Sequence, residues 1–164
     1  AVRAPPAVGR PAPPAARRPA ARRQVSATDG ALLFGVVRPT SSPYLFAAAA
    51  GSPAFAAHNG PEKCDYLGVR GTVVDMDGKP VAGIPIVVEG DELFESLVLS
   101  GSAPAVGPGG YTVQLGEWAV EAEFTVQLWS DTGFRISEPV TFKTRDSCER
   151  NLVIVDFVAT QPLD

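Results

Sequence analysis

Residues 66–89 read YLGVRGTVVDMDGKPVAGIPIVVE, and how this stretch folds decides the fold of the chain. Residues 66–75 are rich in β-branched and aromatic side chains, which fit a pleated, half-buried surface. They run into Asp77-Gly78, where glycine supplies the left-handed position of a tight turn. Residues 81–89 return as a second strand. Pro85 has no N–H to give a ladder, which assigns this strand to an edge or a bulge.

The same grammar continues toward the C-terminus. Residues 93–100 (LFESLVLS) form a candidate third strand, and residues 101–110 (GSAPAVGPGG) a flexible loop. Alternation resumes at Tyr111-Thr112-Val113-Gln114-Leu115. In residues 122–130 (AEFTVQLWS), a period of two sets Phe124, Val126 and Leu128 on one face and Thr125, Gln127 and Trp129 on the other. Asp131-Thr132-Gly133 turns the chain, and strands within 134–144 and over 151–158 (NLVIVDFV) complete the series. About seven short strands at this spacing, with no helical period, predict an all-β antiparallel sandwich.

Toward the N-terminus the material changes near Pro61. Residues 1–60 carry seven arginines (Arg3, Arg10, Arg17, Arg18, Arg22, Arg23, Arg38) against one acid, Asp29, and are formally +6. From Pro61 onward seventeen acids face seven bases, which gives −10 and a net −4 for the chain. Nine of the sixteen prolines also fall in the first part. The expected organisation is therefore an extended arm over 1–60 and a sandwich domain over 61–164. Opposite fields on arm and body favour contact between one copy's arm and another copy's body.

Within the arm, residues 1–24 are almost entirely Ala, Pro, Arg, Val and Gly. They bury too little apolar surface to offset ordering, so disorder with polyproline II character is expected. Residues 31–37 (ALLFGVV) differ: seven apolar residues bounded by Asp29-Gly30 and Arg38-Pro39. They read as a strand with no partner nearby in sequence, although so short a run also fits a helical turn. A competing reading takes the whole region as a secretion signal and linker, with a cleavage-like stretch of small residues at 54–57. Arg38 and Pro39 interrupt the apolar core that a signal needs.

The only two cysteines, Cys64 and Cys148, precede the first and last predicted strands of the body. Strand starts of a sandwich can meet, and a bridge there would place the protein in an oxidising compartment. Two separate buried thiols fit the same spacing. No second cysteine pair or histidine stands near enough for a zinc set.

Residues 68–88 (GVRGTVVDMDGKPVAGIPIVV), followed by Gly109-Gly110-Tyr111-Thr112-Val113, resemble carboxypeptidase regulatory-like domains, the transthyretin-like β-sandwich modules. The opening V-x-G-x-V-x-D strand, the D-G-x-P turn and the later G-x-Y-x-V strand carry the likeness, which spans about residues 66–158. It implies an Ig-like or transthyretin-like sandwich. It says little about function, because these modules accompany peptidases, transporters, adhesins and other surface proteins. The closing residues 146–153 (DSCERNLV), with Cys64 opposite, resemble a bacterial cell-surface variant. The family needs no arm like that of residues 1–60, so this chain's own function is to be sought there.

Catalytic chemistry is sparse. The single histidine, His58, precedes the predicted domain and reads as an exposed linker residue, remote from any nucleophile or acid pair. Asp75-Met76-Asp77-Gly78 resembles the start of a calcium loop, but the residue at the twelfth position is Ile86, so a hairpin turn accounts for the same letters. Glu89, Asp91, Glu92 and Glu95 form an acidic cluster that reads as a solvated loop in a monomer, open to a divalent ion or a basic partner; in an assembly it suits Arg17-Arg18 and Arg22-Arg23, whose guanidinium forks bind carboxylates bidentately. Without aromatic residues interleaved before Phe34, the arginines do not read as a nucleic-acid surface. No run of about eighteen apolar residues marks a membrane span.

The expectation is a non-enzymatic, exported subunit without cofactor or metal, whose partners are copies of itself. Leu32, Leu33, Phe34, Val36 and Val37 would add as a strand to a neighbour's sheet edge. Burying five such side chains is worth on the order of 10 kcal/mol gross, before ordering costs. The alternative is a monomeric secreted accessory module binding a surface glycan, with Trp118, Trp129 and Tyr111 as a stacking face.

Overall fold

The computed structural model describes residues 42–91 and 93–163. The candidate donor residues Leu32, Leu33, Phe34, Val36 and Val37, the arm arginines Arg17, Arg18, Arg22 and Arg23, and Glu92 lie outside the described residues.

The chain forms β1 (Phe46–Ala48), β2 (Ala54–Ala56), β3 (Leu67–Val74), β4 (Pro85–Gly90), β5 (Glu95–Leu99), β6 (Gly110–Gly116), β7 (Glu123–Leu128), β8 (Val140–Lys143), a 3-10 turn (Cys148–Arg150), β9 (Leu152–Ile154) and β10 (Phe157–Ala159). They build two facing sheets. One runs β5-β4-β7-β8, antiparallel throughout. In the other, β3 is central, with β6 antiparallel on one side and β9 and β10 parallel on the other. Beyond these, β1 pairs with β10 and β2 with β9, both antiparallel.

β9 and β10 are two halves of one strand. Gly68 faces Leu152 and Val73 faces Phe157, an offset of 84 residues in both halves. Between them the Asp156 carboxylate replaces the ladder: its Oδ1 accepts from the Thr72 backbone N–H at 2.7 Å and from the Thr72 hydroxyl at 2.9 Å. Gly71 permits the approach, since a Cβ there would lie 1.8 Å from the Val155 carbonyl oxygen. Tyr111, wholly buried, donates its hydroxyl to that same carbonyl at 2.7 Å.

Alternation builds the core between the sheets. Phe124, Val126 and Leu128 face inward as their spacing predicts, against Val69, Val73, Ile86, Val88, Val153 and Phe157. Gln127, expected on the open face, is buried because residues 135–137 fold over it, and its Nε2 donates to the Ser137 carbonyl at 2.8 Å. Pro85 likewise departs from expectation. It opens an interior strand, between β5 and β7, and is accommodated as that strand's first residue. The sheet also takes in β1 and β2, which lie before Pro61 in residues that sequence patterning assigns to the arm.

Cys64 is bonded to Cys148, with Cα atoms 4.8 Å apart, tying the approach to β3 to the turn that opens β9. An 84-residue separation gives such a link about 4 to 5 kcal/mol in the chain-entropy model. Asn151 reinforces it from a fully buried position: its Nδ2 donates to the Lys63 and Tyr66 carbonyls at 2.6 and 2.9 Å, and its Oδ1 accepts the His58 backbone N–H at 2.8 Å. His58 is thus not a free linker residue. Its ring stacks on Tyr66 at 3.8 Å between centroids, and its Nε2 lies 3.0 Å from Glu62 Oε2. A backbone hydrogen bond and then the His58 imidazole hold the Glu62 carboxyl below its usual range.

Candidate assembly surface

A sandwich ends in strands that have a partner on one side only, and four of the edges here are guarded, each differently. β1 is bridged to the other sheet, its Phe46 N–H donating to the Ile136 carbonyl at 3.0 Å. β2 is three residues long, with the Arg145 guanidinium 5.5 Å from the Phe55 ring centroid. β6 turns the polar Thr112 and Gln114 outward and meets β3 with a register irregularity at Leu67/Gly68. β8 is short, follows Pro139 and exposes Thr141 and Lys143. Short length, lysine, proline and bulges are the devices that keep edges from pairing.

β5 has none of them. It is a regular five-residue strand that, among the described residues, pairs with β4 alone, and its outward face carries two exposed leucines beside Glu95: Leu97 is 64 % exposed and Leu99 47 %, with Leu93 at 98 % in the preceding turn. Gly90 N–H donates to the Phe94 carbonyl and Ser100 N–H to the Ile84 carbonyl, at 2.9 Å each. Hydrogen-bonded pairs alternate along an antiparallel ladder. The backbone groups of Glu95 and Leu97 therefore point away from β4, toward solvent.

Charge adds a second feature. Glu89 and Glu95 stand directly opposite each other across β4 and β5, both exposed. Like charges so placed destabilise a ladder. Asp91 lies in the adjoining turn, and a shallow hollow of about 440 Å³ is lined by Glu89, Gly90, Leu93, Phe94 and Glu95. Among the described residues no Lys or Arg lies within ion-pair distance of these carboxylates, and Lys143 lines a neighbouring hollow with Asp91, Glu121 and Glu123.

A larger groove, about 830 Å³, opens at the end of the sandwich beside Leu45, Ile84, Pro85, Trp129, Ile136 and Pro162. The Trp129 indole N–H is sealed from solvent without an acceptor, and the Arg135 guanidinium lies 5.5 Å from its ring centroid. The aromatic residues considered for sugar stacking do not share one kind of place. Tyr111 is in the core, Trp129 lines the groove and Trp118 is 63 % exposed. Asp75 Oδ1 accepts the backbone N–H groups of Asp77 and Lys79 at 2.8 and 2.9 Å, which makes that loop a turn stabilised by its own first residue. Among the described residues no three His, Cys, Asp or Glu side chains converge on a metal-sized site, and no helix is long and apolar enough to cross a membrane.

No family model matches the chain, and no curated protein matches it. A crystal structure of a C-terminal fragment of the pilus adhesin SpaC from Lactobacillus rhamnosus GG is similar with a TM-score of 0.41 and 10 % identity, over 62 % of this chain and 47 % of that one. A second structure of that adhesin gives 0.39 and 10 %, over 60 % and 15 %. A chlorocatechol 1,2-dioxygenase from Pseudomonas putida gives 0.37 and 16 %, over 73 % and 70 %. The chain spans about half the length of the adhesin fragment. TM-scores this low carry no argument about function, and the β-sandwich itself is what the chain displays.

Proposed function

We propose that this protein is a non-enzymatic, exported structural subunit that joins copies of itself into a filament or pilus-like assembly at the cell surface, its N-terminal arm adding a strand to a neighbouring sandwich. The observation that carries the reading is a separation of charge. The part from Pro61 onward is −10, and no Lys or Arg forms an ion pair with an acid among its described residues, while residues 1–60 are +6. A chain divided in this way satisfies its charges between copies. The Cys64–Cys148 bond supports an oxidising destination. Head-to-tail donation is a heterologous contact, which propagates as a filament where the rotation between copies does not close a ring.

Light scattering after size-exclusion chromatography, with negative-stain microscopy, tests this on the full chain. Wild type is expected to form concentration-dependent oligomers or filaments, and Phe34→Asp to remain monomeric, because a buried carboxylate in the donated strand lacks a partner. A wild-type chain that stays monomeric at the highest concentration it reaches would sink the reading. It would favour instead an accessory module that uses the groove beside Trp129 for a ligand such as a glycan.

A further inference from the structure

We infer that β5 is the receiving edge: it takes residues 31–37 of a second copy as an added strand, while Glu89, Asp91 and Glu95 seat the arginines that flank that segment. The inference rests on the assembly reading above and adds the partner surface to it.

Main-chain capacity comes first. An added strand needs a row of unpaired N–H and C=O groups on a regular ladder, and β5 offers those of Glu95 and Leu97 on a strand without bulge, proline or lysine. The other edges are bridged, irregular, polar or short, as described.

Side-chain match comes second. Residues 31–37 are seven consecutive apolar residues, an expensive surface to leave in water. Beside β5 they would lie against Leu97 and Leu99, which are themselves exposed.

Charge comes third, and it selects this occupant over another apolar strand. Arg38 follows the segment directly and Arg22-Arg23 precede it by a few residues, so basic groups bracket the inserted strand. At the β4–β5 turn, two carboxylates oppose each other with Asp91 beside them. A guanidinium between Glu89 and Glu95 converts a repulsive cross-strand pair into a bridged one.

Under the assembly reading the donor is a second copy, which the test below distinguishes from the chain's own arm. β1 lies at the border where Phe46 meets Ile136, near β7 and β8. β5 lies at the other border, where Gly101 and Ala103 pair with Gly110 at the start of β6.

The test places the photo-crosslinking residue p-benzoylphenylalanine at position 97 of the full chain, with position 112 on β6 and position 141 on β8 as comparisons. Irradiated adducts are sized on denaturing gels and mapped by mass spectrometry. Crosslinks from position 97 to residues 31–37 within covalent dimers are expected, with few from 112 or 141. Alongside this, Leu97→Pro removes an outward N–H that β4 does not use, so it should raise the concentration for half-assembly at least about tenfold while leaving the monomer folded. Adducts to residues 31–37 within a single chain would assign the edge to the chain's own arm and overturn the inference. So would adducts between two copies of β5, or adducts mainly from 112 or 141. If oligomers form and any of these patterns appears, only the choice of edge fails; if wild type never oligomerises, the assembly reading fails with it.

Discussion

At the scale of single residues, Gly71 and Tyr111 hold one point together, the Val155 carbonyl. A methyl group at position 71 would meet that oxygen at 1.8 Å, and the oxygen belongs to backbone, which cannot rotate away as a side-chain tip can. Gly71→Ala should therefore force β3 from β9 and β10 and cost about 3 kcal/mol, the upper range for overpacking. Urea denaturation checks this against Gly116→Ala, whose added methyl would meet nothing closer than 3.8 Å and should shift the midpoint little. Tyr111 makes a pH prediction. Burial, and secondarily Asp156, raises its hydroxyl well above the ordinary value of 10.0. Between 10.0 and that raised value the unfolded chain releases a proton that the folded chain keeps. Stability contributed here is thus intact below about pH 10 and falls above it, by about 1.4 kcal/mol per pH unit. Denaturation midpoints measured from pH 9 upward should show that slope, and Tyr111→Phe should lose it. The residues show equally what letters conceal. His58 reads as linker because its partners Tyr66, Glu62 and Asn151 are assembled by the fold, and Asp156 reads as one polar residue inside a strand until Thr72 is set beside it.

At the scale of elements, the strands that could be read in advance are those that bury one face along their own length. β3, the Asp75–Lys79 turn and β7 follow from local chemistry, as the buried Phe124, Val126 and Leu128 show. β1 and β2 could not be read that way. Phe46-Ala47-Ala48 and Ala54-Phe55-Ala56 have neither β-branched content nor clean alternation, and they are strands because β10 and β9 offer them ladders. The acids of the candidate site were visible in sequence, but the openness of β5 was not, since an edge is a property of topology. Glu95→Lys makes that element testable in two opposite directions. It replaces a like-charge cross-strand pair with a favourable one, so the dilute monomer should gain about 0.2 to 1 kcal/mol in thermal or urea unfolding. It also puts a cation where an arm arginine would sit, so the same variant should assemble more weakly. A loss of monomer stability, or assembly undiminished, would show that Glu89 and Glu95 do not form the repulsive pair and arginine seat assigned to them.

At the scale of the whole molecule, two kinds of force act on association, and salt separates them. The attraction between a +6 arm and a −10 body acts at long range, and its reach shrinks from a Debye length of about 30 Å at 0.01 M salt to about 3 Å at 1 M. Ladder hydrogen bonds and apolar contact between residues 31–37 and β5 act only at contact and are little screened. Charge steering sets how fast copies meet, whereas contact quality sets how long they stay. Raising sodium chloride from 0.01 to 1 M should therefore slow association at least about tenfold and leave the dissociation rate nearly unchanged. Light-scattering kinetics after mixing and after dilution give the two rates separately. Serine at Arg17, Arg18, Arg22 and Arg23 should flatten the salt dependence of the first rate without altering the second. If instead salt accelerates dissociation as strongly as it slows association, the arm is held by its arginines alone, and the apolar segment is not an inserted strand.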